Sequence, residues 1–215
     1  MDVLKQAFGS LRLSARMQSD PSKYTSERSY ADLRFDEYLS LLAKSDSNEL
    51  PYAANNRVDP RTFQILGIEH RFNDLGKEVK DPNMWIGPAG AATPLHKDST
   101  DNGAIQIFGR KQWTLYSISD HDSVDVVASK YGSYAHPNAE FAVSALSYGN
   151  SEVKRVSPFS SPRPHIVTID EGDLLYIPYG WGHAVENTST SIMLNVWFAL
   201  DNYRPLIVTL QNDAP

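Results

Sequence analysis

From residue 80 onward, the sequence is a succession of short strand-like segments separated by turn residues. MWIGPAG is a short apolar strand closed by Pro and Gly, and TSIMLNVWFAL is a long final strand. The alternating segment GAIQIFGRKQWTLYSI predicts two strands around a Gly-Arg turn, which is the pattern of a hairpin. HIVTIDEGDLLYIP again predicts a strand, a turn and a strand. Many short strands separated by turns favour a β-sandwich or barrel.

The part of the chain before residue 80 shows helical periodicity instead. SYADLRFDEYLSLLAK, residues 29–44, predicts an amphipathic helix with Asp32 near its start and Lys44 near its end. The apolar side chains at helical spacing in this segment are Phe35, Tyr38, Leu39 and Leu42. PYAANN and RTFQIL follow as shorter and weaker segments. The expected fold class is therefore mainly β, a sandwich or barrel with helices packed outside.

The domain organisation that we expect is a single domain over residues 1–215. It consists of a helical flank at 1–80 and a β core at 81–200. Residues 119–165 are rich in Ser, Tyr, Pro and His and carry only modest strand signals, so they predict a long excursion from the core.

The composition narrows the chemistry available to the chain. Its formal net charge of −6 offers no overall basic field for nucleic acid. No apolar run approaches the ~18 residues of a membrane span, and the N-terminal segment lacks the apolar core of a secretory signal. We therefore expect a cytoplasmic protein without a nucleic-acid or membrane partner. Because the sequence contains no Cys, any metal must be held by His, Asp or Glu.

The stretch TPLHKDSTDN contains the first candidate metal ligands, His96 and Asp98. Residues i and i+2 of a strand face the same way, so both side chains would point into a barrel and Lys97 would point outward. The remaining candidates for a second imidazole are His70, His121, His136, His165 and His183. His183 is favoured by its setting, GDLLYIPYGWGHAVEN, which places it beyond a buried strand and a Pro-Tyr-Gly corner. The alternative is that these are polar surface residues and satisfied core residues.

Two longer stretches resemble the JmjC-type, cupin-like Fe(II)- and 2-oxoglutarate-dependent oxygenases, and most closely their asparaginyl-hydroxylase branch. They are WIGPAGAATPLHKDSTDNGAIQIFGRKQWTLYSI and EGDLLYIPYGWGHAVENTSTSIMLNVWF. The likeness covers residues 84–118 and 168–198 and is fainter over 29–66. It implies a double-stranded β-helix (jelly-roll) fold, with Fe(II), 2-oxoglutarate and O2 as cofactor and co-substrates. His96, Asp98 and His183 match the family's two-histidine, one-carboxylate iron ligands.

The resemblance also implies residues for the remote carboxylate of 2-oxoglutarate. Lys111, in FGRKQW, matches the family's lysine for this carboxylate, with a solvated lysine beside a turn as the alternative. Thr93 matches a position that offers a hydroxyl to the same group, although a β-branched strand residue is an equally good interpretation. Tyr52 matches a tyrosine that closes the co-substrate pocket, and ordinary core packing is the alternative.

Two asparagines and two tryptophans complete the candidates. Asn195 and Asn102 carry amides that suit co-substrate oxygens, but Asn102 also fits a turn in the run Asp101-Asn102-Gly103. Trp197 shares a face with Asn195 by strand parity and either walls the iron site, where it would contact substrate, or belongs to the core. Trp181 is expected to pack the corner before His183.

The function implied is hydroxylation of an unactivated C–H bond, with succinate and CO2 as co-products. The expected substrate is a peptide or protein side chain, followed by a small amino-acid-like or natural-product molecule. The 119–165 excursion, with Tyr131, Tyr134, His136 and Tyr148, is either a substrate lid or a solvated insertion. Little sequence follows residue 200 to build the C-terminal dimerisation helices of some relatives, so the oligomeric state stays open.

Three other functions remain open from the sequence. A cupin-like module that binds a metal and a ligand without turnover explains the three metal-ligand candidates, but gives Lys111, Thr93 and Asn195 no common purpose. An N-methyl demethylase would use the same iron site. A metal-dependent isomerase or dioxygenase without co-substrate would not need Lys111.

Overall fold

The computed structural model of the protein describes residues 2–16, 30–42, 52–73, 75–76, 79, 81–98, 100–117, 126–129, 141–144 and 164–198. The helices within these ranges are α1 (Asp2–Phe8), α2 (Phe35–Leu42), α3 (Arg61–Ile65) and α4 (Glu69–Asn73). The strands are β1 (Arg12–Arg16), β2 (Tyr30–Arg34), β3 (Ala53–Arg57), β4 (Asn83–Gly87), β5 (Ala92–Lys97), β6 (Asp101–Phe108), β7 (Lys111–Tyr116), β8 (Val126–Ser129), β9 (Phe141–Ser144), β10 (His165–Ile169), β11 (Leu174–Ile177), β12 (Gly182–Asn187) and β13 (Ser191–Phe198). None of the described helices is long and apolar enough to cross a membrane.

Two antiparallel sheets form the body of the described structure. A six-stranded sheet has the order β10-β7-β12-β5-β9-β8, and a five-stranded sheet has the order β11-β6-β13-β4-β3. From β4 to β7, and again from β10 to β13, successive strands alternate between the two sheets, so most neighbours in a sheet are distant in sequence. The predicted mainly β jelly-roll of the cupin type is confirmed.

The hairpin predicted over GAIQIFGRKQWTLYSI is wrong, although both of its strands are present. Strand β6 pairs with β11 and β13, whereas β7 pairs with β10 and β12 in the other sheet. The turn at Gly109 therefore carries the chain across the barrel. Gly109 has a φ of 70°, and a Cβ there would lie 1.9 Å from the carbonyl oxygen of Thr190. Alternating apolar residues indicate which side chains are buried, but they do not identify the hydrogen-bonded partner strand.

The N-terminal flank is mixed α and β, which corrects the predicted helical flank. Within the expected 29–44 helix, Tyr30–Arg34 forms strand β2 against β1, and the helix begins only at Phe35. Glu37 accepts a hydrogen bond from the Arg34 backbone N–H at 2.9 Å, as in a capping box. This cap starts the helix after the strand, because it satisfies a backbone donor that has no partner inside the helix.

The two faces of the five-stranded sheet pack into two different hydrophobic clusters. The larger cluster lies between the five-stranded sheet and the N-terminal elements, and it includes Phe35 and Tyr38, both 0% exposed. Leu39 and Leu42 are partly buried against it, so the predicted apolar face of the helix is confirmed from Phe35 onward. The smaller cluster includes Trp113, Val185 and Met193, from strands of both sheets, and therefore lies between the sheets.

Within the 119–165 excursion, the structure describes β8, β9 and the last two residues, 164 and 165. Strand β9 pairs with β5, where Val143 lies opposite His96, and β8 pairs with β9. This part of the excursion therefore extends the six-stranded sheet next to a candidate metal ligand. The four residues predicted for a lid, Tyr131, Tyr134, His136 and Tyr148, lie outside the described residues.

Gly103 on β6 lies close to Phe72 of α4 and to Phe198 of β13, so a substitution at this position tests the packing of α4 on the barrel. A Cβ at this position would lie 2.9 Å from a ring carbon of Phe72 and 3.0 Å from a ring carbon of Phe198. We expect Gly103→Ala to lower the free energy of unfolding by about 1–3 kcal/mol, because extra volume in a packed core forces neighbours out of place. Chemical denaturation measures this change. Phe72→Leu in the same chain should relieve part of the clash, so a double mutant whose loss equals the sum of the single losses would contradict this packing.

Candidate functional site

The three predicted metal ligands lie together at one end of the barrel. The register of β5 against β12 places His96 directly opposite His183, with ring centroids 4.2 Å apart. Asp98 follows immediately after β5, with Oδ1 3.9 Å from His96 Nε2 and Oδ2 3.7 Å from His183 Nε2. One ligand atom from each residue lies within 4.8 Å of the others, so these residues can hold a metal ion.

The β5 strand reaches this register through an irregularity. Thr93 pairs with Val185 and His96 pairs with His183, so three steps along β5 correspond to two steps along β12. The extra residue falls at Pro94 or Leu95, and a proline, which has no backbone N–H, fits such a bulge. The bulge therefore sets which residue of β5 faces His183.

The His183 ring is oriented by the backbone before it. Its Nδ1 lies 3.1 Å from the carbonyl oxygen of Trp181. A carbonyl oxygen only accepts, so Nδ1 donates this hydrogen bond, and in the neutral ring Nε2 keeps the lone pair that a metal would need. Metal-ligating histidines commonly have this arrangement, with the second ring nitrogen donating to a carbonyl.

The two oxygens of the Asp98 carboxylate have different surroundings. Oδ2 accepts hydrogen bonds from Asn102 Nδ2 at 3.1 Å and from Trp197 Nε1 at 2.8 Å. Oδ1 is buried and has no hydrogen-bond partner within the described part of the chain. A buried acceptor without a partner costs ~1–3 kcal/mol, and a metal ion would supply the missing partner. The residues therefore fit a metal bound through Asp98 Oδ1 and the two imidazoles, which is a donor set suited to iron and other transition metals.

A second polar group lies deeper in the barrel, around Lys111 on β7. Lys111 is 0% exposed, and its Nζ donates to Asn187 Oδ1 and lies 5.6 Å from the centroid of the Tyr52 ring. The described residues place no carboxylate against this ammonium. Burial accordingly lowers the pKa of Lys111 from 10.5 to about 7. Because no described carboxylate neutralises the Lys111 ammonium, this group is suited to bind an anionic ligand.

Tyr52 lies beside Lys111, and Thr93 lies on β5 opposite Val185 of β12. The Thr93 hydroxyl is buried and has no hydrogen-bond partner among the described residues, so it is available to a ligand. Gly87 allows the close approach of Tyr52, because a Cβ at residue 87 would lie 2.6 Å from the Tyr52 ring. Because Lys111 is buried, its interpretation as a solvated lysine beside a turn is wrong. Tyr52 is part of the buried core and also faces Lys111.

The distance between the two polar groups is set by β12. His183 and Asn187 lie four positions apart on this strand, and Lys111 is the direct cross-strand partner of Asn187. At ~3.3 Å per residue, the two positions are separated by roughly 13 Å between Cα atoms. Both side chains point inward, because the residues are separated by an even number of positions and are buried.

The structure also locates the remaining predicted residues. Asn102 lies in β6, so its interpretation as a turn residue is wrong. Asn195 Nδ2 donates to Asn102 Oδ1 at 3.0 Å, and Trp197 lies directly opposite Asn102. Trp181 packs beside the core and its ring lies 5.8 Å from that of His165, as expected for the corner before His183.

Sequence reasoning did not identify Asn187 or Trp85. Asn187 Nδ2 donates to the carbonyl oxygen of Pro88 at 3.0 Å while its Oδ1 accepts from Lys111. Strand parity with His183 would have indicated that Asn187 points inward. Trp85 Nε1 donates to Asn195 Oδ1 at 2.6 Å. That contact joins residues 110 positions apart, so no local pattern could indicate it.

Comparison with known proteins agrees with this geometry. A family model described as the cupin-like domain matches residues 7–202. The chain belongs to the cupin-like domain family. The relatives include JmjC domain-containing proteins of Dictyostelium discoideum, so the resemblance to JmjC-type proteins is confirmed. In this family oxygenases typically use iron and 2-oxoglutarate.

Individual relatives of this cupin-like chain are longer than the chain itself. It is 30% identical to HSPB1-associated protein 1 of Rattus norvegicus over 88% of this chain and 42% of that protein. It is 27% identical to lysine-specific demethylase 8 of Xenopus tropicalis over 83% of this chain and 40% of that protein. The solved structure of E. coli ycfD matches with a TM-score of 0.55 at 16% identity, covering 94% of this chain and 45% of ycfD, which supports the fold.

The buried Lys111 predicts a specific pH dependence of stability. Its pKa is lowered from 10.5 in the unfolded chain to about 7 in the fold, so between these values the unfolded chain binds more protons. The free energy of unfolding of the ligand-free protein should therefore rise as the pH increases from about 7 to 10.5. Below pH 7 it should be reduced by the full cost of burying the Lys111 charge. Lys111→Met should remove this rise. Urea denaturation of both proteins at pH 6.5 and pH 9 should show the advantage of the Met variant shrinking at higher pH; parallel changes would contradict an uncompensated Lys111.

Proposed function

We propose that the chain is an Fe(II)- and 2-oxoglutarate-dependent oxygenase that hydroxylates an unactivated C–H bond. The observation that carries this proposal is the pairing of the His96/Asp98/His183 ligand set with a buried Lys111, against which the described residues place no carboxylate. Iron with 2-oxoglutarate and O2 supplies the oxidising chemistry, in which 2-oxoglutarate is converted to succinate and CO2. The protein's own residues bind, orient and exclude water.

At the metal end, His96 and His183 would ligate through Nε2 and Asp98 through Oδ1. Three protein ligands leave coordination positions for a chelating 2-oxo acid and for O2. The hydrogen bonds from Asn102 and Trp197 to Asp98 Oδ2 keep that oxygen occupied and leave Oδ1 directed to the metal.

At the inner end, Lys111 and Thr93 would bind the remote carboxylate of 2-oxoglutarate. The ammonium would exchange its contact with Asn187 for, or share it with, a charge-assisted hydrogen bond. The Thr93 hydroxyl would gain a hydrogen-bond partner, which none of the described residues supplies. Such a carboxylate would raise the pKa of Lys111, so that binding at neutral pH or above draws a proton onto the lysine.

For the substrate, we propose a peptide or protein side chain. The support is the name of the rat relative, HSPB1-associated protein 1, which implies association with a protein. A small amino-acid-like molecule is the alternative.

The name of the Xenopus relative, lysine-specific demethylase 8, supports a second candidate reaction, N-methyl demethylation at the same iron site. Release of formaldehyde from methylated peptides would identify that reaction.

Co-substrate binding tests the proposal before any substrate is known. With Mn(II) present, 2-oxoglutarate at about 100 times its dissociation constant should stabilise the wild type by ~2.7 kcal/mol against unfolding. Lys111→Met should lose most of this stabilisation, because the remote carboxylate loses its cation. Lys97→Met is the matched control, since Lys97 lies next to His96 but alternates to the opposite face of β5. It should behave as wild type.

Turnover is measured as succinate formed with Fe(II), ascorbate and 2-oxoglutarate. We expect slow formation by the wild type and by Lys97→Met, and none by His96→Ala or Lys111→Met. Stabilisation by 2-oxoglutarate without succinate, even with a broad set of peptides, would favour the binding module without turnover. Equal stabilisation of wild type and Lys111→Met would contradict the co-substrate site.

A further inference from the structure

A directed chain of hydrogen bonds runs through the five-stranded sheet to the Asp98 carboxylate. It begins at Trp85 on β4, whose Nε1 donates to Asn195 Oδ1 at 2.6 Å. Asn195 Nδ2 on β13 then donates to Asn102 Oδ1 at 3.0 Å. Asn102 Nδ2 on β6 donates in turn to Asp98 Oδ2 at 3.1 Å. The chain therefore joins three adjacent strands to a metal-ligand candidate that follows a strand of the other sheet.

The chemistry of the two ends fixes the direction of this chain. An indole N–H can only donate, and an ionised carboxylate can only accept. Trp85 therefore requires the oxygen of the Asn195 amide to face it, which turns the NH2 of Asn195 towards Asn102. The NH2 of Asn102 is then directed at Asp98. Neither amide can be reversed alone without placing two acceptors or two donors against each other.

Burial and register keep the two amides in place. Asn102 is 5% exposed and Asn195 is 1% exposed, so water does not offer them an alternative partner. Asn102 lies directly opposite Trp197, which supplies the second donor to Asp98 Oδ2. Trp85 stands at the far end of the chain from Asp98, and its ring centroid lies 6.3 Å from that of Tyr52.

We propose that Trp85 is a positioning residue for metal binding, which acts through Asn195 and Asn102 to keep Asp98 Oδ2 hydrogen-bonded and Oδ1 free to ligate. This inference rests on the proposed metal site, and it does not require turnover. Without the indole donor, Asn195 Oδ1 loses its hydrogen-bond partner, and only the Asp98 carboxylate still orients the two amides. The Asn195 and Asn102 side chains are then held less firmly, and the Asp98 carboxylate that depends on Asn102 is less well positioned to ligate.

The test is the affinity for Mn(II), measured by calorimetry without 2-oxoglutarate. Trp85→Phe retains an aromatic ring beside Tyr52 but removes the N–H donor, and we expect it to bind Mn(II) roughly tenfold more weakly than wild type. Gln106→Leu is the matched control. Gln106 is a buried amide on the same strand as Asn102, and its Nε2 donates to Ser191 Oγ and to the Phe108 carbonyl oxygen. Its loss should lower stability while leaving the Mn(II) affinity unchanged.

The outcomes separate this inference from the metal site itself. If the wild type binds Mn(II) no better than Asp98→Ala, the proposed metal site is wrong and the role of Trp85 is wrong with it. If the wild type binds Mn(II) and Trp85→Phe binds it equally well, the metal site stands and the positioning role is overturned. If Trp85→Phe does not fold, Asn195→Leu interrupts the same chain one bond later and should show the same loss of affinity; unchanged affinity would overturn the role.

The coupling can also be read directly at the indole. The Trp85 N–H signal in a ¹⁵N-labelled protein is identified by its absence in Trp85→Phe. Saturation with Zn(II) should shift this signal in the wild type, and Asn195→Leu should abolish the shift while leaving the signal present. A packing role for Trp85 predicts no such dependence, so a shift that is unchanged in Asn195→Leu would contradict transmission through the amides.

Discussion

Strand β12 is hydrogen-bonded to β5 on one side and to β7 on the other, and its register in these two ladders determines the whole candidate site. On the β5 side it brings His183 opposite His96, and on the β7 side it brings Asn187 opposite Lys111. A slip of one residue would turn the inward side chains of β12 outward. Strand β12 thus holds His183 and the Lys111 ammonium at a fixed separation. Such a separation suits a ligand that binds at both of its ends.

The interior of the barrel is unusually polar for a space between two sheets, and this polarity has a cost. Asp98 Oδ1 and Thr93 Oγ1 are buried without partners within the described structure, and Lys111 is buried without a carboxylate. Each unpaired neutral group costs ~1–3 kcal/mol, and an unpaired charge costs more. The larger apolar cluster around Phe35, Tyr38 and Phe72 lies on the opposite face of the five-stranded sheet and offsets part of this cost. The fold therefore separates a stabilising apolar core from the polar candidate site.

Local patterns predicted the parts of this site that depend on neighbours in sequence. Strand parity gave the inward directions of His96 and Asp98, and alternation identified β6 and β7 as strands. Pairing between strands was beyond such patterns, which is why a hairpin was predicted where the chain changes sheet at Gly109. The start of α2 at Phe35 was missed for a related reason, because residues 30–34 are held extended by their ladder with β1. The role of His183 and the co-substrate residues came from the family resemblance, and the Trp85 contact with Asn195 depends on tertiary packing alone.

We propose that the barrel holds a metal at one end of β12 and a dicarboxylate at the other. The most direct measurement is a crystal structure of the protein grown without oxygen in the presence of Mn(II) and 2-oxoglutarate. We expect Mn(II) on His96 Nε2, Asp98 Oδ1 and His183 Nε2, with the 2-oxo acid chelating the metal and its remote carboxylate on Lys111 and Thr93. A metal bound elsewhere, or a Lys111 ammonium still without a carboxylate when the metal site is filled, would contradict it.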